Sequence, residues 1–88
     1  MTEYFKSVEK ALHKHYGKDV ELFPSSRKDK KFMVFSPEGK KINFGQKGYS
    51  DWHLHGDPVR RDRFKSRNAR WATADKWTPA HLAYWVLW

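Results

Sequence analysis

His53, His55 and Asp57 carry the only side chains in this sequence with ligand-like spacing. In an extended segment alternate residues share a face, so the three would approach one divalent ion together. Asp57, however, directly precedes Pro58, and the pair reads as a helix start. The carboxylate accepts from free amides of the first turn, and proline at the first helical position gives up no hydrogen bond. No other histidine or cysteine lies nearby in sequence, so His53, His55 and Asp57 are weak candidates and no metal site is expected. His13, His15 and His81 fall on segments with helical spacing and read as surface or partly buried groups. There is no nucleophile elbow, and Phe44-Gly45-x-x-Gly48 has too few glycines for a phosphate cradle. These residues point to neither an enzyme nor a bound cofactor.

A second chemistry is carried by charge. The chain has a net charge of +8, with +5 in residues 27–48, +3 in residues 49–70, and both ends neutral. An excess confined to one region suits a surface that meets phosphates or an acidic partner. At about 100° per residue, Arg60, Arg63, Arg67 and Arg70 fall in one stripe of a helix expected from Pro58 to about Arg70, with Phe64 and Trp71 along its edge. The planar guanidinium fork matches phosphate oxygens. Lys40, Lys41 and Lys47 extend the basic set, and Tyr49 or Trp52 is available to stack or wedge. The competing reading is a solvated helix whose arginines pair with Asp62 and other surface acids.

These residues need a scaffold, and 88 residues allow one domain, 1–88. An aromatic content of 17% supplies large side chains for its core. Without cysteine there is no disulfide framework and no thiolate zinc site, which favours a reducing compartment. The start Met-Thr-Glu-Tyr-Phe-Lys lacks the apolar core of a signal peptide, and no apolar run nears the roughly 20 residues of a membrane span. A soluble protein without a membrane partner is expected.

Tyr4, Phe5, Val8, Leu12 and Tyr16 recur at helical spacing, so Glu3 to Tyr16 reads as an amphipathic helix stopped by Gly17. Asp19 to Phe23 alternates as a short strand, completing an N-terminal part over residues 1–26. Residues 27–88 form the basic unit. In it, Lys31–Phe35 and Lys40–Phe44 are strands joined by the turn Ser36-Pro-Glu-Gly39, and Gly45 and Gly48 bracket a loop that favours positive φ. Thr78-Pro79 starts a final helix, apolar nearly all round, whose Leu82, Trp85 and Trp88 are expected in the core. The fold expected is α+β: an antiparallel hairpin or three-stranded sheet covered by an N-terminal helix, a basic helix and an aromatic C-terminal helix.

The run from Phe44-Gly45 through Gly48-Tyr-Ser-Asp-Trp52, His55-Gly-Asp-Pro58, the Arg60-Arg-Asp-Arg-Phe64 helix and Trp85-Val-Leu-Trp88 resembles a family of small basic proteins of tailed bacteriophages, notably marine ones, and of large DNA viruses. The resemblance covers residues 32–88, with the first 26 outside it. This chain departs at Asn68, where that family often has histidine, and in the linker Ala72–Lys76. The resemblance implies a viral source, and hence the host cytoplasm or the virion, but no particular activity.

The function expected is therefore non-enzymatic binding of the nucleic-acid phosphate backbone with little sequence preference, in association with a virion or genome. The alternative is a virion structural piece, such as a minor capsid, cement or connector protein. Its aromatic C-terminal helix would be the interface and its basic face would meet an acidic virion protein. A hairpin followed by a helix with a histidine before it is also similar to small metal-dependent nucleases. Their paired histidines and asparagine are not visible here, which makes that a distant alternative.

Overall fold

A computed structural model describes residues 3–88 of the chain. Helix α1 (Glu3–Tyr16) is followed by a three-stranded antiparallel sheet of β1 (Phe23–Pro24), β2 (Lys30–Phe35) and β3 (Lys41–Gln46), in that order. Phe32 pairs with Phe44 and Val34 with Ile42, so these four side chains share one face, and all are buried. At the hairpin end the Gly39 amide donates to the Ser36 carbonyl over 2.9 Å, the i to i+3 bond of the expected turn. Only Phe23 and Pro24 of the first strand pair with β2. The strand expected over Asp19–Phe23 is cut short because Val20 is tied back to the end of α1. Its amide donates to the Gly17 carbonyl and its carbonyl is bonded by the His13 ring at 3.0 Å.

The sheet face is covered by Val8, Leu12 and Tyr16 of α1 and by Leu82, Val86 and Leu87 near the chain's end, which form one core with it. Tyr4 and Phe5 close its margin against Phe32, at 5.6 and 6.1 Å between ring centroids. The second half of the fold comprises α2 (Trp52–His55), α3 (Pro58–Arg67), a 3₁₀ segment Ala69–Thr73, and α4 (Pro79–Leu82) continuing into a π-wound turn, Ala83–Leu87. The Trp88 amide donates to the Ala83 carbonyl over 3.2 Å, the i to i+5 bond of that wider turn. Leu82 is in the core as expected, but the residues buried with it are Val86 and Leu87. Trp85 and Trp88 are half-buried at the margin, a correction to the expected core.

Gly45 and Gly48 both have positive φ, +75° and +89°. At Gly45 a methyl group would lie 2.9 Å from Leu87 Cδ1 and 3.3 Å from Lys31 Cβ. The end of β3 thus combines a left-handed backbone with close approach of the terminal helix, and both conditions require glycine. Beside it the Lys31 side chain runs to a buried carboxylate.

That carboxylate is Asp51, 1% exposed. One oxygen accepts from the His53 amide at 3.0 Å and so caps α2; the other accepts from the Tyr4 hydroxyl at 2.6 Å and from Lys31 Nζ at 2.9 Å. Lys31 Nζ also donates to the Tyr49 carbonyl. A single charge therefore joins α1, β2 and the start of α2. Removing one partner from a buried pair leaves the other charge uncompensated, at a cost of about 3–5 kcal/mol. Asp51→Ala is expected to lose that much in urea denaturation, and a loss below about 1 kcal/mol would show that the pair does not hold these elements together.

Candidate nucleic-acid interface

Helix α3 starts as the sequence predicts. The Asp57 side chain accepts from the Val59 amide at 2.9 Å and Pro58 occupies the first turn. The helix stops earlier than expected, at Arg67, where Asn68 Nδ2 and the Asn68 amide both donate to the Phe64 carbonyl at 3.0 Å. An asparagine amide meets the unpaired end of the helix by bonding one of its last carbonyls. No residue of α3 is buried.

Arg60, Arg63 and Arg67 are exposed and line an open groove of about 600 Å³ with Val59, Asp62, Ser66 and the Trp88 ring. Among the described residues the ion pairs are Arg27 with Asp29 and Lys31 with Asp51, so these arginines are not paired with Asp51, Asp62 or Asp75. Arg70 is exposed too, but it sits on the 3₁₀ segment beyond the helix end and does not line the groove. The stripe of four expected from helical spacing becomes three plus one, because the helix ends first.

Arg61, which lies off the stripe of helical spacing, is turned inward. Its Nε donates to the Trp88 carbonyl at 2.6 Å and its guanidinium lies 4.6 Å from the centre of the Trp52 ring. Trp52 is half-buried, with this cation over one of its faces. Phe64 and Trp88 stack face to face, with centroids 4.4 Å apart and planes within 7°. Through these contacts the basic helix is seated against the end of the terminal helix.

The lysines are divided. Lys40 and Lys41 lie at the hairpin turn, whereas Lys47 and Tyr49 follow the opposite end of β3, about 20 Å away at 3.3 Å per residue. Lys30, not singled out in the sequence, pairs across from Gln46 at that same end. It shares a second groove with Tyr49, Phe64 and Trp71. Lys30 and Tyr49 therefore share a groove with Phe64 of α3, Lys47 lines a different one with Tyr4, Phe32 and Leu54, and Lys40 and Lys41 lie at the far end of the hairpin.

The histidines are separated by the helical turn α2, which occupies residues expected to be extended. At about 100° per residue, positions two apart on a helix point to opposite sides, so the spacing argument for an ion no longer applies. His53 Nε2 donates to the Val86 carbonyl at 2.7 Å and its Nδ1 is bonded to Ser7 Oγ at 2.6 Å. His55 Nδ1 accepts from the Asp57 amide at 2.8 Å, which leaves a proton on Nε2, buried without a partner beside the Trp88 ring. Asp57 is occupied as the cap. Among the described residues no group of three His, Cys, Asp or Glu is gathered as for a metal ion. Among the same residues no helix is long and apolar enough to cross a membrane.

The model of a family of unknown function, DUF5754, matches residues 20–68, more than half of the chain. The protein belongs to DUF5754. The match begins ahead of the region of viral resemblance, taking in β1, and ends with α3, so the DUF5754 segment contains the sheet, the Asp51 loop and the three groove arginines. Comparison with curated proteins and with solved structures gives no match.

Behind α3, Lys65 Nζ lies 4.4 Å from the centre of the Tyr84 ring and 5.0 Å from that of Trp85. Burial, then the charge of Arg61, lowers its pKa. Burial chiefly, then neighbouring cations, also lowers those of His15 and His81. Burial raises the phenol pKa of Tyr16, which donates to the Lys76 carbonyl and is bonded by the His81 ring. Burial, reinforced by Asp51, raises that of Tyr4. Unfolded imidazoles take up protons below about 6.5 while folded His15 and His81 resist, so stability falls as pH drops through that value. Unfolded phenols release protons above about 10 while folded Tyr4 and Tyr16 retain them, so stability falls again as pH rises past that value. Melting temperature is expected to be highest between these limits. His15→Gln with His81→Gln should flatten the acid arm and Tyr4→Phe the alkaline arm; arms unchanged in both variants would contradict the assignment.

Proposed function

We propose that this DUF5754 member is a non-enzymatic protein that binds the phosphate backbone of nucleic acid with little sequence preference, through Arg60, Arg63 and Arg67. The observation that carries the reading is that three arginines share one open groove with neither an ion pair nor a side-chain hydrogen bond among the described residues. Guanidinium groups with no partner in their own fold are available for bidentate contact with phosphate oxygens. The net charge of +8 adds long-range attraction to a polyanion. The resemblance to small basic proteins of tailed bacteriophages and large DNA viruses supports a role beside a viral genome, in the host cytoplasm or the virion.

A virion structural role through the aromatic terminal helix draws less support, because Leu82, Val86 and Leu87 of that segment are already buried in the protein's own core. The two readings separate in a titration against duplex DNA at several salt concentrations. Three phosphate contacts predict a slope of log K against log salt of roughly −2.7. Changing Arg63 and Arg67 together to Gln should reduce its magnitude by about 1.8 without altering the fold. The double change Lys40→Gln, Lys41→Gln, at the far end of the hairpin, should move it less. Absence of binding at low salt, with co-purification of an acidic virion protein, would favour the structural role.

A further inference from the structure

On the other side of the Phe64–Trp88 stack from the arginines is a second groove, about 580 Å³, and its character is different. Tyr49, Phe64, Trp71, Pro79 and Ala83 line it together with Lys30. Phe64 and Trp71 meet edge to face, at 73° with centroids 5.9 Å apart, and both line this groove, so two rings lying at a steep angle to each other contribute to its surface. Tyr49 is 65% exposed, and among the described residues neither its hydroxyl nor its ring makes a contact that would explain a large aromatic there. The stacked pair is shared between the two grooves: Phe64 lines the aromatic one and Trp88 the arginine one. Arg60 and Arg67 stand four residues before and three after Phe64, which makes them its neighbours on the helix surface.

We propose that the aromatic groove seats an unpaired nucleobase, so that the polynucleotide bound is single-stranded. The inference rests on the phosphate-binding reading above and adds to it the strand type. A base presents a flat π-face that stacks on aromatic side chains whatever its identity, while cations beside it hold the adjoining phosphates. An apolar guest without charge would leave the arginines and Lys30 with no counterpart. A base connected to phosphates satisfies both grooves. In an intact duplex the bases are held in the stack, and bringing one into the groove requires unpairing it first.

The test is a set of anisotropy titrations at one salt concentration with three probes of equal length: oligothymidylate, an abasic strand with the same phosphates, and a duplex. Oligothymidylate is expected to bind about 5- to 150-fold more tightly than the abasic strand, the range for one stacked base, and more tightly than the duplex. Tyr49→Ala, at an exposed position, should shrink the gap between the two single strands, and Trp71→Ala should do the same if its circular-dichroism melt shows it folded. Arg63→Gln with Arg67→Gln should weaken both single strands alike. Equal affinity for oligothymidylate and abasic strand, with salt dependence retained, would overturn the base site and leave phosphate binding standing, as would tighter binding of the duplex. Failure to bind any probe would overturn both.

Discussion

The buried carboxylate of Asp51 is the interaction on which the arrangement depends. A carboxylate withdrawn from water is costly unless its lone pairs are met and its charge is balanced. Here the Tyr4 hydroxyl, the Lys31 ammonium and the His53 amide do both. Each donor comes from a different element, so the charge fixes where the loop after β3 must pass and where α2 must begin. The Lys31 stem and Leu87 both pack against the backbone at Gly45, where a side chain would crowd them.

Once α2 is set, the end of the chain follows. The last carbonyls of a helix have no partner within it. His53 supplies one to Val86 and Arg61 supplies another to Trp88, which ties α2 and α3 to the terminal segment. The basic helix is therefore held by its ends, by the Phe64 ring and by Arg61, with no buried residue of its own. That mode of attachment is what leaves Arg60, Arg63 and Arg67 on the outside. The same α3 carries one arginine as a fastening and three as a surface.

Local chemistry was legible in the sequence. The cap Asp57-Pro58, the turn through Gly39 and the positive φ of Gly45 and Gly48 all follow from rules acting within a few residues, whereas the face of β2 that turns inward, Phe32 with Val34 or Met33 with Phe35, was open until the register with Ile42 and Phe44 was seen. What was hidden depends on partners distant in the chain. Asp51 lies 47 positions from Tyr4, and nothing in Gly48-Tyr-Ser-Asp51 announces a buried ion pair. The helical turn α2 was missed because four residues without an apolar period leave no pattern, and its cap is that same aspartate. Arg70 was placed on the stripe because periodicity carries no stop signal at Asn68 as strong as glycine. Arg61 differs from its neighbours only in direction, which depends on where Trp88 comes to rest.

Helix α3 divides its arginines by direction, three toward solvent, where we propose a polyanion binds, and one toward the fold. Side-chain NMR of the arginine Nε–Hε groups during titration with a single-stranded oligonucleotide tests it directly. Large shifts are expected for Arg60, Arg63 and Arg67, while Arg61, whose Nε is bonded to the Trp88 carbonyl, stays in place. Shifts at Arg61 with none at the other three would contradict it.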